Sequence, residues 1–170
     1  HRGRLSDQLP VIHGGNRTSK SYSSNIEPIW HVTGYYPDYY PQAGRSPVPC
    51  RVRICSTPDG LNDRIAPFID RMLPDKHWIE RHDKQRHIYK LKNGSIIQLK
   101  SYEQNLSEYM GDSLHIVVMD EHCKEKEKFS ENMMRLVDTR GRMIVNLCPW
   151  TGEAGGGFSW EYDELYLPSL

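Results

Sequence analysis

Short apolar runs punctuate the chain and predict its strands. Residues 8–13 close on Val11-Ile12, residues 114–119 read Leu-His-Ile-Val-Val-Met, and residues 143–148 read Met-Ile-Val-Asn-Leu-Cys. Nearly continuous apolar runs of this length predict buried strands of a parallel sheet. Residues 50–56 alternate and are β-branched enough for another strand. Residues 87–91 and 95–99 flank Asn93-Gly94, which predicts a hairpin. Helical spacing occurs between the runs. Leu61, Ile65, Phe68, Ile69 and Met72 predict a helix over 61–73, bounded by Gly60 and Pro74. Residues 124–137 predict a second, with Phe129, Met133, Leu136 and Val137 inward. A third is expected from Lys20 to about His31, kinked or ended early by Pro28, which removes one helix hydrogen bond. Residues 35–49, rich in proline and tyrosine, predict an irregular surface excursion. Strands alternating with helices imply an α/β fold, a mainly parallel central sheet with helices on both faces.

The first junction carries the sharpest chemistry. Val11-Ile12-His13 leads into Gly14-Gly15-Asn16-Arg17-Thr18-Ser19-Lys20-Ser21. This is the layout of a phosphate-binding loop between a strand and a helix. Backbone N–H groups and the helix N-terminus surround a polyphosphate, Lys20 adds charge, and the Ser21 hydroxyl can ligate Mg²⁺. The usual second glycine of G-x-x-x-x-G-K-[ST] is replaced by Ser19. A glycine-rich turn with a surface lysine is the plainer reading of the same residues. The run at 114–119 ends in Asp120-Glu121, at the strand end where α/β sheets place ligands. Asp120 would hold Mg²⁺ and Glu121 would orient the attacking water; alternatively the two acids cap the next helix. Together, loop and acids point to an ATPase with ATP and Mg²⁺ as its ligands. Arg17 would reach the γ-phosphate in cis, or would pair with an acid and brace the loop.

Gly14–Ser21 is similar to the G-G-N-R-[ST]-G-K-[ST] loop of bacteriophage terminase large subunits. The order of other segments strengthens the resemblance. Thr33-Gly34-Tyr35-Tyr36-Pro37-Asp38-Tyr39-Tyr40 resembles the family's T-G-x-Y-P-x-W-W segment. Leu91-Lys92-Asn93-Gly94-Ser95-Ile96-Ile97 resembles its L-x-N-G-S-x-I hairpin, and Ser101-Tyr102-Glu103-Gln104 its S-Y-[DE]-Q. Asp120-Glu121, Met134-Arg135-Leu136-Val137 and Cys148-Pro149 follow in the family's order. The resemblance implies a P-loop NTPase of the ASCE type, the packaging motor that drives double-stranded DNA into a procapsid. It implies portal protein, terminase small subunit and a homo-oligomeric ring as partners. It implies the host cytoplasm as location, transiently at the procapsid portal and not in the mature virion. Whole terminases of this kind carry a C-terminal nuclease domain, so residues 1–170 are expected to be a single P-loop ATPase domain. In related motors a polar residue at the end of the strand after the acids senses the γ-phosphate. That position reads Cys148, a poor donor, with Asn146 and Thr151 as substitutes. The family's trans-acting Arg-Gly is replaced by Met110-Gly111, which leaves Arg140 and Arg142 as possible trans arginines. A helicase-type translocase shares loop and acids but not the 33–40 and 93–104 segments. A poorly hydrolysing nucleotide-binding assembly module would account for Ser19 and Cys148.

Composition narrows this picture. The 170 residues are 37% hydrophobic and 26% charged, ordinary for a globular domain. Twenty-two basic residues balance twenty-two acidic ones, which argues against firm DNA binding by this segment alone. No membrane-spanning run or signal peptide is evident, and no membrane partner is expected. Cys50, Cys55, Cys123 and Cys148 form no C-x-x-C pair; Cys50 and Cys148 read as buried reduced thiols, which suits a reducing cytoplasm. His77, His82 and His87 recur every five residues, which fits no metal-ligand spacing. His122 follows the acid pair and reads as a helix-start residue, the alternative being a place at the border of the site. Residues 75–92 read as a solvated mixed-charge face, the alternative being contact with DNA phosphates in a ring, and Lys124-Glu125-Lys126-Glu127-Lys128 as a solvated helix face.

Overall fold

The computed structural model describes residues 11–13, 20–74, 77–147, 160–161 and 164–165. Within them lie seven strands: β1 (Val11–His13), β2 (Arg51–Ser56), β3 (Ile79–Asp83), β4 (Ile88–Leu91), β5 (Ile96–Ser101), β6 (Ile116–Asp120) and β7 (Arg142–Leu147). They form one sheet in the order β1-β7-β6-β2-β5-β4-β3. β1, β7, β6, β2 and β5 run parallel; β4 and β3 complete the sheet antiparallel. One strand, β7, is inserted between the first strand and the acid-bearing β6.

The helices are α1 (Lys20–Thr33), α2 (Ala66–Met72) and α3 (Lys126–Leu136). Each central strand sends alternate residues to opposite faces. Val52, Ile54, Ile116, Val118 and Ile144 pack with Ile29 and Val32 of α1 and with Leu61, Ile65 and Ile69 around α2. Cys55, Val117, Met119, Met143 and Val145 pack on the other face with Leu136 of α3. Both faces are covered, so every residue of β6 is buried and its sequence shows no alternation.

Several details depart from the sequence expectation. α1 continues through Pro28 to Thr33. Burial of Ile29 and Val32 outweighs the one lost hydrogen bond. Gly34, at φ +77°, ends the helix, its N–H bonding Trp30 O at 2.8 Å. The helix after β2 begins with a π-helical turn, Gly60–Ile65, so Gly60 lies inside it rather than bounding it. A Cβ there would sit 2.4 Å from Ser56 Oγ and 2.9 Å from Arg64 Nη2. α3 is shorter than 124–137, and Val137 is 64% exposed rather than inward. Lys128 is buried rather than solvated, bonded to Glu125 Oε1 at 2.7 Å and to Tyr102 O. The charged segment at 75–92 supplies an edge strand, β3, in which Ile79 alone is buried. Charged edge strands discourage edge-to-edge pairing. The Asn93-Gly94 hairpin forms as expected, with Gly94 at φ +84° and Asn93 Nδ2 bonded to Val32 O at 2.8 Å.

Candidate nucleotide site

β1 ends at His13 and α1 begins at Lys20, so a strand and a helix bracket the first junction as expected. Gly14, Gly15, Asn16, Arg17, Thr18 and Ser19 lie outside the described residues, as do Cys148 and Thr151. Lys20 is described by its backbone alone, as the first residue of α1.

Three of the expected residues meet at the C-terminal end of the sheet. Ser21, on the first turn of α1, donates from Oγ to Asp120 Oδ1 at 3.1 Å. Asn146 pairs with Asp120 in register on β7 and donates from Nδ2 to the same oxygen. Asn146 Nδ2 also lies 3.4 Å from the hydroxyls of Ser21 and Ser24. Asp120 is 1% exposed, and its Oδ2 has no hydrogen-bond partner among the described residues. Burial pushes the Asp120 carboxyl above its ordinary range; hydrogen bonds from Asn146 and Ser21 oppose that rise. A buried carboxylate oxygen without a donor, beside a serine hydroxyl, is a donor set for a hard divalent cation such as Mg²⁺.

Glu121 is turned away from this cluster by its backbone. Its φ is +69°, in the left-handed region that glutamate rarely adopts. Its N–H bonds Asn146 O at 3.1 Å, and Tyr102 donates its hydroxyl to Asp120 O at 3.1 Å. Each carboxylate oxygen has one partner. Thr57 Oγ1 donates to Oε2 at 2.8 Å, and Arg64 forms an ion pair with Oε1. Arg64 holds its proton more firmly than an ordinary arginine, first through its hydrogen bond to Glu121 and also through the charges of Glu121 and Asp120.

The two arginines considered for a trans role are elsewhere. Arg142 pairs with Ile116 at the other end of the strands, four residues from Asn146, or roughly 13 Å at about 3.3 Å per residue. Its guanidinium is committed to Tyr40 OH, Gly44 O, His31 Nε2 at 3.0 Å and Glu27 at 3.3 Å. Arg140 is exposed in the turn before β7, at φ +51°. His82 stacks on Tyr89 with ring centroids 3.8 Å apart, and His87 sits in a turn at φ +52°. His122 is paired with the buried Glu161, whose other oxygen accepts the Cys123 N–H at 2.8 Å. Cys50, Cys55 and Cys123 are buried free thiols, raised by burial to about 12, about 11 and about 12.

Sequence reasoning missed Thr57, Arg64 and Glu161, and gave Tyr102 no role. Thr57 carries one usable signal: it follows β2 directly and so falls at the same sheet end as Asp120. Arg64 carries none, because a helical arginine reads as surface.

The parallel core, with β7 inserted between the loop strand and the acid strand, defines a P-loop NTPase fold of the ASCE type. Residues 11–156 match the family described as "Terminase large subunit, T4likevirus-type, N-terminal", and the chain belongs to that family. No curated protein matches the sequence. The fold is similar to the ATPase domain of the Thermus phage P74-26 large terminase. That match has a TM-score of 0.61 and 14% identity, and covers 91% of this chain and 62% of that one. It is also similar to the large terminase of a thermophilic bacteriophage in complex with ADP. There the TM-score is 0.58 and the identity 15%, covering 85% of this chain and 34% of that one. The chain thus spans less than two thirds of either. Among the described residues, no helix is long and apolar enough to cross a membrane.

Proposed function

We propose that residues 1–170 form a single ATPase domain that hydrolyses Mg-ATP to move double-stranded DNA into a procapsid. The observation that carries this reading is the meeting of Ser21, Asp120 and Asn146 at one sheet end, with Glu121 beside them. Residues 14–21 would cradle the phosphates through backbone N–H groups and the Lys20 ammonium, with Arg17 as an arginine in cis. Ser21 and Asp120 would hold Mg²⁺, which when bound neutralises charge on the phosphates. Glu121 would orient and polarise the attacking water. Asn146 reaches Ser21 and Asp120 at once, which suits it to report phosphate occupancy to β7; Cys148 and Thr151 are its expected neighbours in that task. Of the two expected trans arginines, Arg140 is the exposed one and so the one able to reach a neighbouring subunit. The solved relative with ADP supports a nucleotide as ligand. Family membership supports portal protein, small subunit and a ring as partners, and the host cytoplasm as location. The chain's zero net charge supports weak DNA affinity outside a ring.

A steady-state ATPase assay, with Mg²⁺ or with chelator, tests the reading. The expected result is slow, strictly Mg²⁺-dependent turnover that free duplex DNA does not accelerate. Absence of turnover under every condition, including assembly on a portal, would contradict it.

A further inference from the structure

Glu121 is engaged in the arrangement described. Its Oε2 accepts from Thr57 and its Oε1 is ion-paired with Arg64, so an incoming water would share one lone pair of each oxygen with a guanidinium that competes for the same charge. The arrangement is built rather than incidental. The backbone at Glu121 adopts φ +69° to aim the side chain there. Tyr102 and the Asn146 carbonyl hold that backbone in place. The π-helical turn brings Arg64 back over β2, and Gly60 leaves room for it: a Cβ would stand 2.9 Å from Arg64 Nη2 and 3.0 Å from Thr57 Oγ1. Arg64 also feels the charge of Asp120. Its side chain is half-exposed.

We propose that Arg64 is a nucleotide-sensing residue that exchanges its ion pair with Glu121 for the terminal phosphate of a bound nucleoside triphosphate, which frees Glu121 to orient water. The inference rests on the nucleotide reading above and assigns it a discriminating step. A triphosphate presents a doubly charged terminal group near the acids, whereas a diphosphate does not reach as far. The bidentate geometry of a guanidinium suits either partner, so the exchange replaces one charge-assisted pair by another. Thr57 is a positioning residue: its hydroxyl retains one oxygen of Glu121 while the other is released.

Titrations of the chain with Mg²⁺ and either ADP or a non-hydrolysable ATP analogue test this by binding rather than turnover. Arg64→Ala should lose about tenfold in analogue affinity while ADP affinity stays within about twofold. Arg64→Lys, which keeps a charge without the fork, should retain part of the discrimination. Glu121→Gln removes the competing charge, so analogue affinity should rise several-fold with ADP unchanged. In the Arg64→Ala background that gain should vanish. Equal losses for both nucleotides in Arg64→Ala, or a gain in Glu121→Gln that persists without Arg64, would overturn the exchange. If the unaltered chain binds and hydrolyses ATP while these ratios stay flat, the exchange alone fails. If it binds neither nucleotide, the site reading fails and the exchange with it.

Discussion

The two ends of the parallel sheet are built on opposite principles. At the end where the strands begin, a ring of polar groups is closed on itself. His31, fully buried on α1, meets Ser46 Oγ at 2.8 Å, Tyr36 OH at 3.0 Å and Tyr40 OH at 3.1 Å. Tyr40 donates to Glu27 Oε1 at 2.6 Å, and Arg142 joins Tyr40, Gly44, His31 and Glu27. At the end where the strands finish, buried polar atoms lack partners among the described residues: Asp120 Oδ2, Asn146 Oδ1, Asn25 Oδ1 and Ser56 Oγ. Such atoms cost about 1–3 kcal/mol each when left unsatisfied. A fold tolerates that cost where a ligand completes the set. The closed end braces the irregular 35–49 segment against α1, and the open end is where we place the site.

That contrast predicts different outcomes for similar substitutions. Lys20→Ala should give the largest effect, a loss of order 10²–10³ or more in turnover with the fold intact, because the ammonium would stabilise transferring phosphoryl oxygens. Turnover measured beside an unchanged circular dichroism spectrum checks it.

At the closed end, Arg142→Ala should lower unfolding free energy by about 2–3 kcal/mol, since it leaves Glu27 and two carbonyl or hydroxyl partners without their shared donor. Chemical denaturation reads this. Nucleotide affinity of the monomer should stay unchanged, since Arg142 lies at the far end of the strands.

Asp120→Asn should do the reverse. Its carboxyl is pushed up by burial, so the charged form costs stability without a cation, and that cost grows as pH rises through the raised value. The amide variant should therefore be slightly more stable without nucleotide, by about 1 kcal/mol or less, and melt at a correspondingly higher temperature. It should also lose the stabilisation that Mg-ATP confers, and a melting series with and without Mg-ATP separates the two effects.

The smallest effect is a pH dependence at the closed end. Burial holds the His31 imidazole below its ordinary value of 6.5 despite Glu27. Burial alone would raise the Glu27 carboxyl, but the His31 ring 3.6 Å away, the hydrogen bond from Tyr40 and the charge of Arg142 hold it below 4.5. Both groups have depressed values in the folded state. Their contribution is present above the unfolded values and is lost as pH falls, first below about 6.5 through His31 and then below about 4.5 through Glu27. His31→Gln should flatten the upper part of a stability-against-pH curve while leaving the lower part.

The open end was the more legible of the two in the sequence. Asp120 and Asn146 stand on buried apolar runs, and a run fixes where its last residues fall. Ser21 could be placed because a strand and a helix bracket it. The closed end was opaque. Arg142 looked like a free cation because its partners come from α1 and an irregular loop about a hundred positions earlier, and no local period encodes that meeting. Lys128 and Arg53 were hidden for the same reason. Each is a long cation buried by side chains or carbonyls distant in sequence, Tyr102 for the first and Gln98, Tyr109 and Asn132 for the second. The segment 33–40 carried a family resemblance without a function; its Tyr36 and Tyr40 turn out to build the brace. β3 escaped notice because a single buried isoleucine gives no alternation.

The central claim, that the open end hydrolyses a Mg-nucleotide with Glu121 as the water-orienting group, is tested most directly by one paired measurement. Equilibrium ATP affinity and single-turnover hydrolysis are recorded for the unaltered chain and for Glu121→Gln, both with Mg²⁺. Binding that is retained or strengthened, together with hydrolysis reduced by at least about 10²-fold, is the predicted result. Hydrolysis by Glu121→Gln at the unaltered rate would remove Glu121 from the chemistry and contradict the account.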